Sequence, residues 1–228
     1  MRRFHDITIH SESKEHLLSE EESKHIVRVL RLTVGNQIEL VDGKGMLFMC
    51  EIIDDHPKRC SVKVLERRHE DSPSEIHIAI CPTKQSERIE WFVEKATEIG
   101  VTKISFIECA NMERTRLKLD RLQKKAISAM KQSKRLHLPE LVDMVKLESF
   151  IKENPDGLIA HCYENEKQSI SDSYSEGKAI LIGPEGDFTQ DEINLAFEHG
   201  YSPISLGESR LRTETAAIVA TVLAAQFA

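Results

Sequence analysis

The sequence is poor in features that would place it outside the cell or in a membrane. Its five cysteines, Cys50, Cys60, Cys81, Cys109 and Cys162, are odd in number, scattered and never spaced C-x-x-C. That pattern signals neither a disulfide framework nor a zinc site, and a reducing cytoplasm is the expected location. No apolar signal segment follows Arg2 and Arg3, and the longest apolar stretch, Ala216–Ala225, is too short to span a bilayer. Phosphate-cradling G-x-G-x-x-G and G-x-x-x-x-G-K motifs are missing as well. So is any general excess of positive charge, because the formal net charge is -7.

What is present is an ordinary globular composition, 40% hydrophobic and 30% charged over 228 residues. Such a chain buries a full core in one large or two modest domains. The charge is unevenly spread. From Arg114 to Arg135 nine basic residues face one acidic residue, Asp120, so the remainder of the chain carries about -15. A solvated helix face accounts for this run; so does an electrostatic footprint for nucleic-acid phosphates.

The first seventy residues read as a small β-rich unit. Ser19-Glu20-Glu21-Glu22 has the form of a capping box opening a helix through about Leu30, with Ile26, Val27 and Leu30 on one face. Strands are expected at 38–41, 46–53 and 60–66, the first two joined by the turn Asp42-Gly43-Lys44-Gly45, and a compact barrel closes such short strands. The polar run His69–Ser74, with Pro73, is the best boundary, dividing the chain into domains 1–70 and 74–228. Beyond it the period changes. Strands at 76–81, 103–107, 158–162, 179–182 and 204–206 alternate with helices, notably 86–99, stopped by Gly100, and an amphipathic basic helix with Leu119, Leu122, Ala126, Ala129 and Met130 inward. This is an α/β pattern with a mostly parallel sheet.

Two loops near the C-terminus carry the chemistry. Gly183-Pro184-Glu185-Gly186-Asp187-Phe188 joins a strand to a helix capped by Thr189-Gln190-Asp191-Glu192, with Phe188 and Ile193 as its staple. Ligands bind at such strand ends in α/β proteins, but Glu185 and Asp187 would repel a phosphate. A simple tight turn explains the loop equally well. The second loop, Ser205-Leu206-Gly207-Glu208-Ser209-Arg210-Leu211-Arg212-Thr213-Glu214-Thr215, precedes an apolar helix that calls for burial on more than one face. Arginines and hydroxyls beside such a helix point to a ligand, unless Arg212 and Glu214 simply pair and a threonine caps the helix.

Together LIGPEGDFTQDEI and SLGESRLRTETAA resemble the signature of the SPOUT superfamily, specifically RsmE-type 16S rRNA uridine-N3 methyltransferases. Lys84, Arg88, Glu90-Trp91, Glu94–Gly100, Glu113-Arg114, Gln132–Arg135 and Pro139 extend the resemblance. Arg3-Phe4, His25, Val29-Leu30-Arg31 and Gly35 look like the family's PUA-like domain. The resemblance implies a PUA-like small β-barrel followed by a SPOUT domain with a parallel sheet and a deep trefoil knot, working as a homodimer. It implies S-adenosylmethionine as cofactor, held by Gly183, Pro184, Glu185, Gly186, Leu206, Gly207, Leu211, Arg212, Thr213, Thr215 and Ala216. The chain departs from the pattern at Asp187, where a second glycine is usual, and at Glu208-Ser209-Arg210-Leu211, which replaces a Pro-Arg-Ile-Leu-like run.

Methylating uracil N3 requires loss of its proton, so Arg212 is the expected stabiliser of the uridinate, and Glu214 or a bound water the expected base. Arg2, Arg3, Arg28, Arg31, Arg114, Arg116, Lys131, Lys134 and Arg135 are the expected backbone contacts to 16S rRNA or the small ribosomal subunit. A SPOUT enzyme acting on another target such as a tRNA ribose, a non-catalytic RNA-binding module and a nucleotide-dependent α/β enzyme are the competing readings.

Overall fold

The computed structural model describes residues 1–113, 116–164 and 166–227. Its contacts divide the chain into two compact units: residues 1–72 with 130–138, and residues 73–129 with 139–228. The division near Pro73 coincides with the polar run, but the segment Met130–Leu138 counts with the first unit. Periodicity cannot reveal that assignment, since helix α3 (Leu119–Ser133) continues without a break across residue 130.

The first unit is built on a five-stranded mixed sheet of order β1-β3-β4-β5-β2. Its strands are β1 (Arg2–His5), β2 (Glu15–Leu17), β3 (Gln37–Val41), β4 (Met46–Asp54) and β5 (Ser61–His69). Only the β1–β3 ladder is parallel. Alternation puts Ile38 and Leu40 of β3, and Phe48, Cys50 and Ile52 of β4, into one core with Phe4. Each such large apolar side chain contributes roughly 1.5–3 kcal/mol by leaving water. The β3–β4 turn forms as expected: one carboxylate oxygen of Asp42 accepts from Lys44 N at 2.7 Å and Met46 N at 3.0 Å.

The helix expected through Leu30 forms but changes type partway. Ser19 caps α1 (Glu20–Lys24) by accepting from Glu22 N at 3.2 Å, and the chain then widens into a π-helical turn, His25–Val29. The wider turn keeps Ile26 fully buried while Val29 stays 68% exposed. Arg31 follows in the left-handed region, φ 54°. Strands β1 and β2 escape the sequence pattern because they are short and carry Arg, His and Glu instead of an alternating apolar face.

The second unit is a parallel seven-stranded sheet of order β10-β12-β9-β11-β6-β7-β8. The strands are β6 (His77–Ile80), β7 (Lys103–Glu108), β8 (Glu140–Lys146), β9 (Leu158–Ala160), β10 (Gln168–Ser169), β11 (Ala179–Ile182) and β12 (Ser202–Ser205). Every residue of β6 and β11 is buried, as strands covered by helices on both faces require. The helices are α2 (Ser86–Ile99), the first part of α3, α4 (Leu147–Glu153), α5 (Ile170–Ser173), α6 (Gln190–Glu198) and α7 (Thr213–Phe227). Gly100 ends α2 with φ 117°, the left-handed stop that glycine supplies most readily.

A single chain accounts for part of the burial expected of helix α7. Within this chain one face is covered, and it is made of small residues, Ala217, Ala220, Thr221 and Ala224, packed towards α2. Val222 and Phe227 remain exposed. Among the described residues no helix is long and apolar enough to cross a membrane.

One buried group predicts acid sensitivity. His77, 3% exposed, shares a 2.8 Å hydrogen bond with Ser105 Oγ, and burial, helped by Lys103, pushes its pKa down to about 4. Below the ordinary value of 6.5 the unfolded chain takes up a proton that the folded chain refuses. Stability present above pH 6.5 is therefore lost as pH falls towards 4, by about 3 kcal/mol from this residue. Urea denaturation at pH 7, 5.5 and 4 should show the loss, and His77→Gln should flatten that part of the profile even if it lowers stability throughout.

Candidate active site

Because the sheet is parallel, the C-terminal ends of adjacent β9, β11 and β12 open on one edge, and three loops meet there. They surround a cavity of about 500 Å³. Two are the loops singled out from the sequence. The third, starting at His161 at the end of β9, was passed over.

The β11 loop is shaped by close approach and by one strained residue. A Cβ on Gly183 would lie 3.0 Å from the Phe188 ring, so any larger residue there would have to push the ring aside. Asp187 adopts φ 63°, a conformation natural to the glycine that the resemblance leads one to expect there. The carboxylate offsets the strain: Oδ1 accepts from Phe188 N at 2.8 Å, and Oδ2 from Cys162 N at 2.7 Å. Asp187 thereby ties the β11 loop to the β9 loop. From the far side Asn111 Nδ2 donates to the carbonyls of Gly186 and Asp187. The capping box of α6 is complete, and Glu192 uses its other oxygen to accept from Ala110 N at 2.7 Å.

The β12 loop runs over Gly207, φ 122°, into α7. Thr213 Oγ1 donates to Gly183 O at 3.0 Å in a buried bond, so the two loops are joined across their bases. Thr213 is thus spent on the other loop rather than on capping its own helix.

Of the residues expected at a cofactor, Gly183, Pro184, Glu185, Leu206, Gly207, Leu211, Arg212, Thr213 and Ala216 line the cavity. Gly186 and Thr215 do not. Neither does Glu214, expected as a base: it is buried at 7% exposure in the first turn of α7, with Oε1 3.6 Å from Arg88 Nε and no hydrogen-bond partner for Oε2 among the described residues. Arg88, on α2, is its ion-pair partner, in place of the Arg212–Glu214 pair weighed from the sequence. Lys167, Arg210 and Arg212 balance Glu185, Asp187 and Glu208 around the cavity, so it has no net attraction for a phosphate.

His161 is the residue that sequence reasoning missed. It lines the cavity, is 7% exposed, and neither ring nitrogen has a partner among the described residues. Burial, reinforced by Lys167 and opposed by Asp187, holds its pKa below the ordinary value, which keeps the ring neutral at neutral pH. Its signal was available: a polar, titratable residue directly ending an apolar strand of a parallel sheet.

The expected RNA contacts divide differently. In the first unit Arg2, Arg28, Arg31 and Lys134 are exposed. Arg3 is not free for phosphate: its side chain is 9% exposed, with Nε donating to Glu39 at 2.8 Å and Nη1 to Arg135 O. Lys131 is 3.8 Å from Glu22, and Arg135 is half-buried. In the second unit Arg116 is exposed, while Arg121 and Lys125 pair with Glu90 and Glu94. Arg114 lies outside the described residues.

Known proteins match this architecture throughout. Residues 18–65 match the RNA methyltransferase PUA domain, and residues 70–225 the RNA methyltransferase domain. Ribosomal RNA small subunit methyltransferase E of Rickettsia conorii is 32% identical over 91% of this chain and 88% of its own length; that of Bacillus subtilis is 29% identical over 88% and 85%. A probable rRNA-methyltransferase from Porphyromonas gingivalis superposes with TM-score 0.87 at 41% identity, covering 97% of this chain and 95% of that one. Ribosomal RNA small subunit methyltransferase E from Neisseria gonorrhoeae, bound to S-adenosyl methionine, gives 0.87 at 27% identity with the same coverage. With a PUA domain ahead of a parallel-sheet methyltransferase domain, this chain belongs to the ribosomal RNA small subunit methyltransferase E family.

Proposed function

We propose that the protein methylates N3 of a uridine in 16S rRNA of the small ribosomal subunit, using S-adenosylmethionine, and that it acts as a homodimer. The observation that carries the reading is the cavity at the ends of β9, β11 and β12, in a chain whose relatives include a structure bound to that cofactor. The residues present fit the group. Balanced charge, no phosphate cradle and an unpartnered polar side chain suit a ligand that carries ammonium, carboxylate and sulfonium but no phosphate.

Gly183, Pro184, Glu185, Leu206, Gly207, Leu211, Arg212, Thr213 and Ala216 would hold the cofactor, with the Thr213–Gly183 bond fixing the spacing between its two main walls. Gly186, whose carbonyl is engaged by Asn111, and Thr215 act from behind the lining. When bound, S-adenosylmethionine supplies a methyl carbon whose bond to sulfur breaks, with the electron pair going to sulfur, as the N3–carbon bond forms. Arg212, permanently cationic and at the cavity wall, stabilises the negative charge that uracil develops as N3 loses its proton. Glu214 keeps Arg88 in place rather than serving as the base.

A deep trefoil knot is part of the proposal. It is supported by the strand order, in which β11 enters between β6 and β9, and β12 between β9 and β10, after those neighbours have been laid down. The dimer is supported by α7, whose exposed Val222 and Phe227 leave an apolar side uncovered within the chain. Domains at 1–70 and 74–228, PUA-like and SPOUT, then divide RNA positioning from chemistry.

Four outcomes are expected. Arg212→Ala should lower turnover about 10²–10³-fold, measured as transfer of labelled methyl to small-subunit rRNA from cells lacking the protein, with fold and dimer intact; near-normal turnover would end its assigned role. Nucleoside mass mapping of that rRNA should show the missing N3-methyluridine, whereas a lesion only in tRNA would redirect the substrate. Replacing Arg28 and Arg31 together by Glu should weaken rRNA binding and reduce the slope of log affinity against log salt by about 2. Val222→Asp should move the protein from dimer to monomer in light scattering.

A further inference from the structure

We propose that His161 is the general base of the reaction, accepting the N3 proton of the target uracil on an unprotonated ring nitrogen. The assignment rests on the functional reading above. A base must reach the cavity, have a free lone pair and be unprotonated at neutral pH. His161 meets all three: it lines the cavity, neither ring nitrogen has a partner among the described residues, and burial holds its pKa below the ordinary 6.5. A buried imidazole left without partners is unfavourable, so a bound ligand that offers an N–H restores what the folded chain leaves open.

The other groups around the cavity are disqualified one by one. On its own loop, Lys167 is a cation, and burial raises the Cys162 pKa, so its thiol stays protonated. From the β11 loop, both oxygens of Asp187 already accept backbone N–H groups, and Glu185 is exposed and 3.3 Å from Lys84 N. From the β12 loop, Arg210 and Arg212 are cations, Glu208 is exposed, and the Thr213 hydroxyl is committed to Gly183 O. The rings of Tyr163 and of Phe197 on α6 flank the imidazole without offering it a charge, each with its ring centre 6.2 Å away.

The proton balance closes without any further reagent. N3–H gives its proton to the imidazole, leaving the electron pair on N3 to form the bond to carbon. Positively charged cofactor and neutral uridine become neutral S-adenosylhomocysteine, N3-methyluridine and imidazolium. The imidazolium then releases one proton per turnover to water, a step favoured by the same burial and by the neighbouring Lys167.

The test uses the full-length protein, His161→Ala and His161→Asn, with small-subunit rRNA from cells lacking the protein. Titration of ¹³C-labelled histidine by NMR should place the His161 pKa below 6.5 in the wild type. Wild-type turnover should fall about tenfold per pH unit below that same pKa. Both variants should bind S-adenosylmethionine within about threefold of wild type by calorimetry, yet turn over about 10²–10⁴-fold more slowly. Added imidazole should partly restore His161→Ala, an effect that a packing role would not produce. The assignment is overturned by turnover within a few-fold of wild type, by a loss of cofactor affinity that accounts for the whole defect, or by absence of imidazole rescue. A wild-type protein that binds no S-adenosylmethionine would instead overturn the functional reading beneath it.

Discussion

The site depends on one buried hydrogen bond, from the hydroxyl of Thr213 to the carbonyl of Gly183. It spans thirty residues of sequence and joins the base of the β12 loop to the end of β11. Without it a buried carbonyl would lose its partner, at about 1–3 kcal/mol, and the two main walls of the cavity would no longer share a fixed reference. The parallel sheet makes the bond possible. Only because β9, β11 and β12 run in one direction do their C-terminal ends emerge together. Only because β11 lies beside β9 can Asp187 reach Cys162 N on the neighbouring loop.

Asp187 shows how a departure from a family pattern can be absorbed. Its φ of 63° is a conformation that glycine adopts freely and an aspartate adopts at some strain. A shorter side chain would bear the strain with no return, whereas the carboxylate takes two backbone N–H groups, one on each of two loops. The loop therefore gains a lateral tie. The acidic charge that made the loop unsuitable for phosphate is largely spent on the protein's own backbone.

Much of the second unit was legible because its signals are local. Helix α2 and its Gly100 stop, strand β11, and the capping box of α6 each follow from a few adjacent residues. What escaped depends on contacts distant in sequence. Strand β8, Glu140–Lys146, lies at a sheet edge and fully buries no residue, and its apolar residues come in pairs, Leu141-Val142 and Met144-Val145, instead of alternating. The π-helical turn after Lys24 keeps a helical period and only widens it. No local signal separates Arg3 from Arg2 as a phosphate contact, but Glu39, thirty-six residues away, accepts from its guanidinium. Glu214 looked close to the methyl donor because it is two residues from Arg212; on a helix, neighbours two apart face different ways, and α2 supplies its partner. His161 was hidden by treating residues 158–162 as strand throughout, when the strand ends at Ala160 and the next residue turns into the cavity.

The proposed division of labour between Arg212 and His161 follows from how each responds to burial. A guanidinium keeps its charge in any protein environment, so it serves where a negative charge must be met at every stage of turnover. An imidazole yields to burial and becomes neutral, so it serves where a lone pair must be available. A carboxylate placed as Glu214 is, against Arg88, is held by a fixed cation and serves neither purpose well. The cavity separates its two tasks by environment: a permanent cation on the β12 loop and a neutral, unpartnered acceptor at the end of β9. A stronger base in that position would take the N3 proton more readily but would surrender it to water more slowly, and one proton must leave in every cycle. In the proposed reaction the lowered pKa of His161 favours turnover, provided that Arg212 supplies the stabilisation of the uridinate that a weak acceptor leaves undone.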